Sequence, residues 1–263
     1  EYLICATPIL DDVFINMPKM KTHKKTGVTL NLKNLVGINA DKNWLPHQTE
    51  GSPGNGGDEY PDLTLKRRLE QLAVKYARKI SLNIPNLGPK LAIRLRSAGT
   101  TVFGHGSSVI RSGYWYANDT TWRMALDLNR CLLFGNKDGT IRKTDPKRYY
   151  CLIDGIIGMD GMGPMQGDPV DSGVVIGGTD PVTVDMVAAR VMGFDWRKLA
   201  IIREAYNLEC MPITQWQPQD VTVTSDIPEW NGRFLDIEGQ KFLSFRPHFG
   251  WKNRIEFKNT NNK

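Results

Sequence analysis

Apolar positions along the first forty residues change from a strand-like to a helix-like pattern. Residues 12–17 (DVFINM) are rich in β-branched and aromatic side chains, which predicts a buried strand, and Pro18 ends it because proline cannot donate a ladder hydrogen bond. Four apolar residues then share the spacing of one helical face: Val28, Leu32, Leu35 and Val36. Gly37 follows as a stop signal. The pattern predicts a strand, a lysine-rich loop and a helix that begins near residue 26.

A long polar stretch and a basic helical pattern follow. Residues 38–62 are dense in Gly, Pro, Asn and Asp, which predicts an irregular loop. Residues 63–80 place apolar side chains near helical spacing, and residues 87–95 predict a second, shorter helix. Between residues 66 and 96, nine lysines and arginines stand against one acid. We interpret residues 38–118 as a loop and basic helical insertion.

The second half of the chain alternates helix and strand signals. Residues 119–134 predict a helix, and residues 149–157 and 174–177 predict two strands. Asp180 stands at the N-cap of a further helix, which Gly193 ends. This alternation indicates an α/β architecture.

The fold class follows from this order of elements. We expect an α/β fold with a partly parallel sheet flanked by helices and a β-rich C-terminal edge, because residues 212–263 contain short strand-like pieces such as VTVT and KFLSF. The elements are assigned to one domain over residues 1–263. The opening residues read like the middle of a fold, so we also expect an upstream part of this fold to be missing.

The chain is basic, and its cysteines are dispersed. A net charge of +6 favours anionic partners without separating nucleic acid, acidic lipid and phosphorylated metabolites, although the absence of a zinc-finger, KH or RRM signature disfavours nucleic acid. No two cysteines form a CxxC pair, which predicts reduced, mostly buried thiols in a cytoplasmic protein and no iron–sulfur cluster. No apolar run approaches the roughly 18 residues that cross a bilayer, and association with a membrane surface stays open.

Lysines are concentrated where the first predicted strand gives way to the predicted helix. Free N–H groups at a helix N-terminus attract anions, and nearby lysines add positive charge. The candidate anion-binding residues are Lys19, Lys21, Thr22, Lys24, Lys33 and Asn34. His23 is a candidate catalytic proton carrier, because histidine titrates near neutral pH. A solvated basic loop is the alternative interpretation.

Two aspartates accompany a series of glycines in residues 152–170 (LIDGIIGMDGMGPMQGDPV). Asp154 is placed where a buried strand ends, and Asp160 follows six residues later. Ligands bind at the carboxyl ends of strands in open α/β sheets, so this turn and the lysine segment could face one crevice. We interpret Asp154 as a catalytic acid–base group and Asp154 with Asp160 as ligands of a divalent metal ion. A structural glycine-rich turn is the alternative.

His47 is the third candidate catalytic residue. It lies in the predicted long loop beside Trp44 and Glu50, in the manner of a residue on an active-site lid. A polar surface histidine is the alternative. Asp180 and Asp185 are interpreted as a cap and as a surface or supporting residue.

Two blocks of sequence resemble a known family. INMPKMKTHKKTGVTLNLKNLVG and LIDGIIGMDGMGPMQGDPVDSGVVIGGTDPVTVDMVAARVMGF are similar to the family catalogued as domain of unknown function three-six-two, and DTTWRMALDLNR resembles its longer members. The shared positions are Lys19, Lys21, Thr22, His23, Lys33, Asn34, Gly37, Asp154, Gly155, Gly163, Pro164, Gly167, Asp180 and Asp185. The resemblance implies an α/β fold without a settled reaction. Some relatives carry ferredoxin-type clusters, which the dispersed cysteines here cannot hold.

Two functions are compatible with these features. The first is an enzyme that binds a small phosphate- or carboxylate-bearing substrate, with or without a divalent metal. The second is a non-catalytic binding or electron-transfer accessory protein whose basic helices dock on an acidic protein partner or membrane surface. A contact between the lysine segment and an acidic patch of a neighbouring subunit is a third, simpler interpretation.

Overall fold

The computed structural model describes residues 1–62, 64–83, 94, 109–143 and 146–258. The helices are α1 (Ala6–Leu10), α2 (Asn31–Asn34), α3 (Leu65–Asn83), α4 (Thr121–Phe134), α5 (Pro181–Val191), α6 (Ala200–Arg203) and α7 (Phe234–Ile237). The strands are β1 (Val13–Asn16), β2 (Lys19–His23), β3 (Gly27–Thr29), β4 (Arg148–Asp160), β5 (Asp168–Gly178), β6 (Thr222–Val223) and β7 (Gly232–Arg233). The predicted helix at residues 87–95 lies outside the described residues, apart from residue 94.

The central strand of the main sheet is the long β4. On one edge of β4, the first residues of β4 pair in parallel with β1, and later residues of β4 pair in parallel with β2. Strands β1 and β2 therefore follow one another along the same edge. On the other edge, β5 pairs with β4 in antiparallel orientation, and β3 extends the sheet beyond β2 as an antiparallel hairpin partner. β6 and β7 form a separate two-stranded sheet. The predicted α/β class and partly parallel sheet are confirmed.

Helices cover one face of this sheet and enclose the core. β4 alternates buried and more exposed residues along Arg148–Ile153, as expected for a strand with one buried face. The fully buried side chains between the sheet and α2, α4, α5 and α6 include Met20, Leu32, Ile153, Met186 and Phe194. Helix α5 begins as predicted, because the Asp180 carboxylate accepts hydrogen bonds from the N–H groups of Val182 and Thr183.

The predicted helix near residue 26 is wrong. Gly27 has a φ of +81° and lies close to the Leu199 side chain, so it suits a turn that leads into the short strand β3. β-branched Val28 and Thr29 continue that strand, and the helix itself has only the four residues of α2 before a 3₁₀ turn at Leu35–Ile38. The lysine segment is therefore a β-hairpin.

Two further expectations about strands are corrected. Asp154 lies in the middle of β4, not at its end, because the glycines after it fit the strand: Cβ atoms at Gly155 and Gly158 would lie 2.8 Å or less from Met20 and Phe245 atoms. In the tail, KFLSF forms no strand. Its Leu243 and Phe245 N–H groups instead donate to carbonyls at the end of α5, so the β-rich edge is limited to β6 and β7.

The basic insertion contains a helix with exposed apolar residues. The predicted loop at residues 38–62 is irregular apart from short 3₁₀ turns, and α3 follows it. The exposed fractions are 75% for Leu65, 62% for Val74 and 63% for Tyr76. Docking of this helix on an acidic or lipid surface stays a prediction. Within the described residues, no helix is both long and apolar enough to cross a membrane.

All four cysteines are unpaired, in agreement with the predicted reduced thiols. Only Cys151 is buried, so the expectation of mostly buried thiols is wrong: Cys210 is exposed, and Cys5 and Cys131 are partly exposed.

Candidate anion-binding site

The β2–β3 hairpin brings several basic side chains together. Met20 and Thr22 of β2 point into the core and are fully buried, which places Lys19 and Lys21 on the other face of the strand. His23 closes the turn, since its Nδ1 accepts hydrogen bonds from the N–H groups of Lys25 (3.0 Å) and Thr26 (3.3 Å). We use the term cationic cluster for Lys21, His23, Lys24, Lys25, Lys33 and His47.

Lys25 is one of two almost fully buried lysines in this cluster. It is 6% exposed, and its ammonium group donates to the His47 carbonyl (2.9 Å) and to Oε1 of Gln48 (2.5 Å). Burial lowers the pKa of Lys25 to about 7, and the charges of Lys24 and Lys33 act in the same direction. The hydrogen bonds therefore hold an ammonium group that is charged only in part at neutral pH.

Lys33 is the second buried lysine, and its ammonium group, which keeps a small contact with solvent, has no hydrogen-bond or carboxylate partner among the described residues. It comes from α2 and is 8% exposed. Burial lowers the pKa of Lys33 to about 8, with a further contribution from the charge of Lys21. Lys33 in turn lowers the pKa values of His23, His47 and Lys25, so these groups lie within range of each other's charge. Such an ammonium is costly to bury unless an anion compensates it.

Hydrogen bonds fix the tautomer of His23. Because Nδ1 accepts two backbone N–H groups, the proton of the neutral ring is on Nε2. Burial, followed by the charges of Lys33, Lys25 and Lys24, places the pKa of His23 well below its usual value. His23 is consequently a neutral Nε2–H donor near pH 7. The expectation that it carries protons is not supported by this geometry.

His47 has the opposite tautomer. Its Nδ1 lies 2.9 Å from the Leu45 carbonyl, which can only accept, so Nδ1 carries the proton and Nε2 keeps its lone pair. Its own carbonyl accepts hydrogen bonds from Lys25, from Asn118 (3.0 Å) and from Thr121 (2.7 Å), which position the residue firmly. Burial, Lys33 and Lys25 lower the pKa of His47. The residue is therefore fixed in position, and its neutral ring has an unprotonated Nε2.

An aromatic ring supports the outer side of the cluster. The Lys24 ammonium lies 3.9 Å from the centre of the Tyr114 ring, and Lys25 lies 5.4 Å from it. Trp251 Nε1 donates to the Lys24 carbonyl at 2.9 Å. Within the described part of the chain, no carboxylate oxygen lies within 4 Å of the Lys21, Lys24, Lys25 or Lys33 side-chain nitrogen. Asp58 and Glu59 act on Lys25 from a greater distance and oppose the lowering of its pKa. The cluster therefore has more basic groups than directly paired acids.

Three of the predicted anion-binding residues are engaged elsewhere. Lys19 forms an ion pair with Asp154, its register partner on β4, and this hydrogen bond lowers the pKa of Asp154. The buried Thr22 hydroxyl donates to the Gly161 carbonyl at 3.2 Å. Asn34 is exposed and donates to Asn16 at 2.6 Å. The structure brings together Lys21, Lys24 and Lys33 of the predicted set, and separates Lys19, Thr22 and Asn34 from them by these contacts.

The two predicted metal-binding aspartates do not form one site. They lie six residues apart on the same strand, roughly 20 Å along an extended chain, and Asp160 receives a bidentate pair of hydrogen bonds from Arg246. Among the described residues, no group of three or more His, Cys, Asp or Glu side chains is arranged to hold a metal ion. A metal ion at Asp154 alone stays a prediction.

The glycine-rich turn does lie against the hairpin, as the crevice hypothesis required. Lys24 N–H donates to the Gly163 carbonyl at 3.3 Å, and a Cβ atom at Gly163 would lie 2.0 Å from the Thr22 carbonyl oxygen. The contact is closed, however. Asp154 and Asp160 pair with Lys19 and Arg246 instead of facing the cationic cluster.

The N-terminus of α2, which we expected to attract a ligand, is occupied by a side chain of the protein. Asp185 is 1% exposed and accepts hydrogen bonds from the N–H groups of Asn31 (2.8 Å) and Leu32 (2.9 Å) and from the Asn31 amide (2.9 Å). Burial raises the pKa of Asp185 to about 7, against the effect of these bonds. Of the two alternatives for Asp185, the surface residue is wrong and the supporting residue fits, because the buried carboxylate links α5 to α2.

We expect Asp185→Asn to destabilise the protein by about 2–4 kcal/mol. The NH₂ group of asparagine would face N–H groups that now donate to the Asp185 carboxylate, so two donors would oppose each other. Urea unfolding measures this change. The matched control is Asp180→Asn, which keeps an N-cap acceptor and should cost less than about 1 kcal/mol. Equal effects of the two substitutions would contradict the assigned role of Asp185.

Sequence reasoning missed several residues of the site. Lys25 was expected to add charge to the lysine segment, but its burial and its hydrogen bonds to residues 47 and 48 were not foreseen. Tyr114 and Asn118 are about 90 positions away and reach the site only through the fold, so no local pattern identifies them.

Comparison with known proteins gives one match. A family model described as Domain of unknown function (DUF362) matches residues 2–190, more than half of the chain. This range contains the hairpin, His47, β4, β5 and most of α5, whereas Arg246 and Trp251 lie beyond it. No curated protein and no solved structure matches the chain.

Proposed function

The chain belongs to the DUF362 family, whose description specifies no reaction, and we propose that it is an enzyme acting on a small molecule that carries a phosphate or carboxylate group. The cationic cluster binds the anionic group, and the two histidines beside it act on the adjacent part of the substrate. No metal ion is required for this assignment of roles.

The observation that carries the proposal is the buried Lys33 ammonium. Four basic side chains lie within range of its charge, namely Lys21, His23, Lys25 and His47, and no acid pairs with it among the described residues. Burying an uncompensated charge costs several kcal/mol, so a fold that retains it has an unmet demand for negative charge. A bound oxyanion would pair with Lys33 and with Lys21, whose ammonium group otherwise donates to the Pro164 carbonyl at 3.4 Å.

The two histidines have different tautomers, which suggests a different role for each. His23 offers its Nε2–H to the anion as a neutral donor, so it binds without needing to change protonation state. His47 offers the Nε2 lone pair, which can accept a proton from a hydroxyl group or water beside the bound anion. The three hydrogen bonds to the His47 carbonyl keep this nitrogen in place.

Titration calorimetry with inorganic phosphate, sulfate and malonate tests the binding function. We expect saturable binding of at least one of them at pH 7, and an increase of the Tm beyond that given by potassium chloride at equal ionic strength. His23→Gln should weaken binding, whereas His47→Gln should leave it nearly unchanged because His47 acts on the neighbouring group. If chloride gives the same Tm increase as all three anions, the proposal is wrong.

A further inference from the structure

A groove separate from the cationic cluster runs along the outer edge of β5. Within the described residues, β5 pairs only with β4, so its second edge has no strand partner. In an antiparallel pair, alternate residues direct their N–H and C=O groups away from the partner strand. The outer edge of β5 therefore presents a row of backbone donors and acceptors to the groove.

The opposite wall is the segment that contains the short strand β6. Six successive residues, Gly173–Gly178, line one side of the cavity, and seven successive residues, Val221–Ile227, line the other. Consecutive lining residues indicate that backbone edges face the cavity, because a single face of a strand would contribute only alternate residues. Among the described residues, no backbone hydrogen bond joins these two segments.

The space between the walls has the volume of a binding groove, and its floor is apolar. Its volume is about 470 Å³, and its floor includes Val184, Val187, Phe234 and Ile237. Val184, Phe234 and Ile237 are buried in the core beneath it. An extended segment in this groove could bond to one or both edges while its inward side chains contact the apolar floor.

The segments that supply the groove walls are acidic, in contrast to the whole chain, although Asp226 is the one charged residue among those described as lining the groove. The chain has a net charge of +6, but residues 220–238 contain five acids and one arginine, and β5 contains two aspartates and no basic residue. Asp168 pairs with Arg246, and Glu238 pairs with Arg197. The remaining five acids have no lysine or arginine within 4 Å among the described residues: Asp171, Asp220, Asp226, Glu229 and Asp236. This surface is complementary to a basic ligand.

We propose that the groove between β5 and residues 221–227 binds an extended, basic segment of another protein, which adds a strand to the outer edge of β5. Backbone hydrogen bonds provide the binding geometry, apolar side chains at alternate positions contact the floor, and lysine or arginine side chains pair with the acidic rim. The proposal does not depend on the anion-binding function.

A fluorescein-labelled nonapeptide in which valine alternates with lysine and threonine is a direct probe, measured by fluorescence anisotropy with the full chain. Thr224→Trp, which fills the groove from an exposed lining position, should weaken binding at least tenfold. Asp226→Lys should also weaken binding, whereas Glu209→Lys, an equal charge change at an exposed residue outside the groove, should have little effect.

Two control peptides separate strand addition from simple charge attraction. The same peptide with alternate backbone nitrogens methylated keeps its charge but cannot complete the ladder, and we expect it to bind at least tenfold more weakly. Equal binding of the methylated peptide, or equal weakening by Glu209→Lys and Asp226→Lys, would overturn the proposal. So would failure of the unmethylated peptide to bind, or a concentration-dependent dimer that Thr224→Trp abolishes, since a second copy would then occupy the groove.

Discussion

Replacing Lys33 with methionine should stabilise the protein against urea and, at the same time, weaken phosphate or sulfate binding. Methionine has a similar length without the charge, so the substitution removes a buried ammonium that lacks a partner. The gain in the free energy of unfolding should be about 1–3 kcal/mol. The loss of a charge-assisted contact should weaken anion binding roughly 10- to 100-fold.

The opposite signs of these two effects make the experiment informative. Substituting a residue that only supports the fold would lower both the free energy of unfolding and the affinity for the anion. Substituting a residue that serves the ligand would lower only the affinity. Lys42→Met is the matched control, because Lys42 is exposed in a 3₁₀ turn of the long loop. It should change neither quantity appreciably. A destabilised Lys33→Met variant that binds sulfate normally would refute the assigned role of Lys33.

Raising the pH from 7 to 9 should stabilise the ligand-free protein by about 2–4 kcal/mol. The pKa values of Lys25 and Lys33 are lowered by burial from 10.5 to about 7 and about 8 in the folded protein. Between pH 7 and 9 the two lysines therefore hold more protons in the unfolded chain than in the folded chain, and their contribution to the free energy of unfolding rises with pH. Asp185 and Cys151, whose pKa values are raised by burial, oppose this rise to a smaller extent in that range. Chemical denaturation across this range measures the slope.

Sulfate binding should weaken over the same range, because a bound anion favours the protonated lysines. We expect a loss of affinity of roughly tenfold or more between pH 7 and 9, and proton uptake on binding at pH 8 when buffers of different ionisation enthalpy are compared. Sulfate is the suitable probe, since it keeps its charge across this range. Binding that is independent of pH, together with a flat stability profile, would show that the two lysines titrate as exposed groups do.

The elements that could be predicted were those whose pattern is local. The alternation of buried residues in β4 and the Asp180–Pro181 start of α5 are encoded within a few positions, and both were identified from the sequence. The hairpin was missed because apolar residues at helical spacing after Gly27 are equally compatible with a short strand followed by one helical turn. The choice depends on packing of Gly27 against Leu199 in the distant C-terminal half.

The composition of the candidate site was predictable only in part. The lysines and His23 lie close together in the sequence, so their proximity could be foreseen. Which of these side chains pair within the protein could not be predicted, because the partner of Lys19 is about 135 residues away on β4. Asp185 shows the same effect: it fills the helix terminus that local reasoning assigned to a ligand.

The position of β4 also affects how the chain must assemble. Val13 of β1 aligns with Arg148, so the first strand emerges from the ribosome well before the strand that it pairs with. During synthesis β2 can pair with β3, which follows closely, but Met20, which is fully buried in the folded protein, packs in a core whose β4 residues are made more than 100 positions later. Contacts of such separation slow folding and leave nascent apolar segments exposed to aggregation. This topology therefore lengthens the time for which β1 and β2 lack their β4 partner during synthesis.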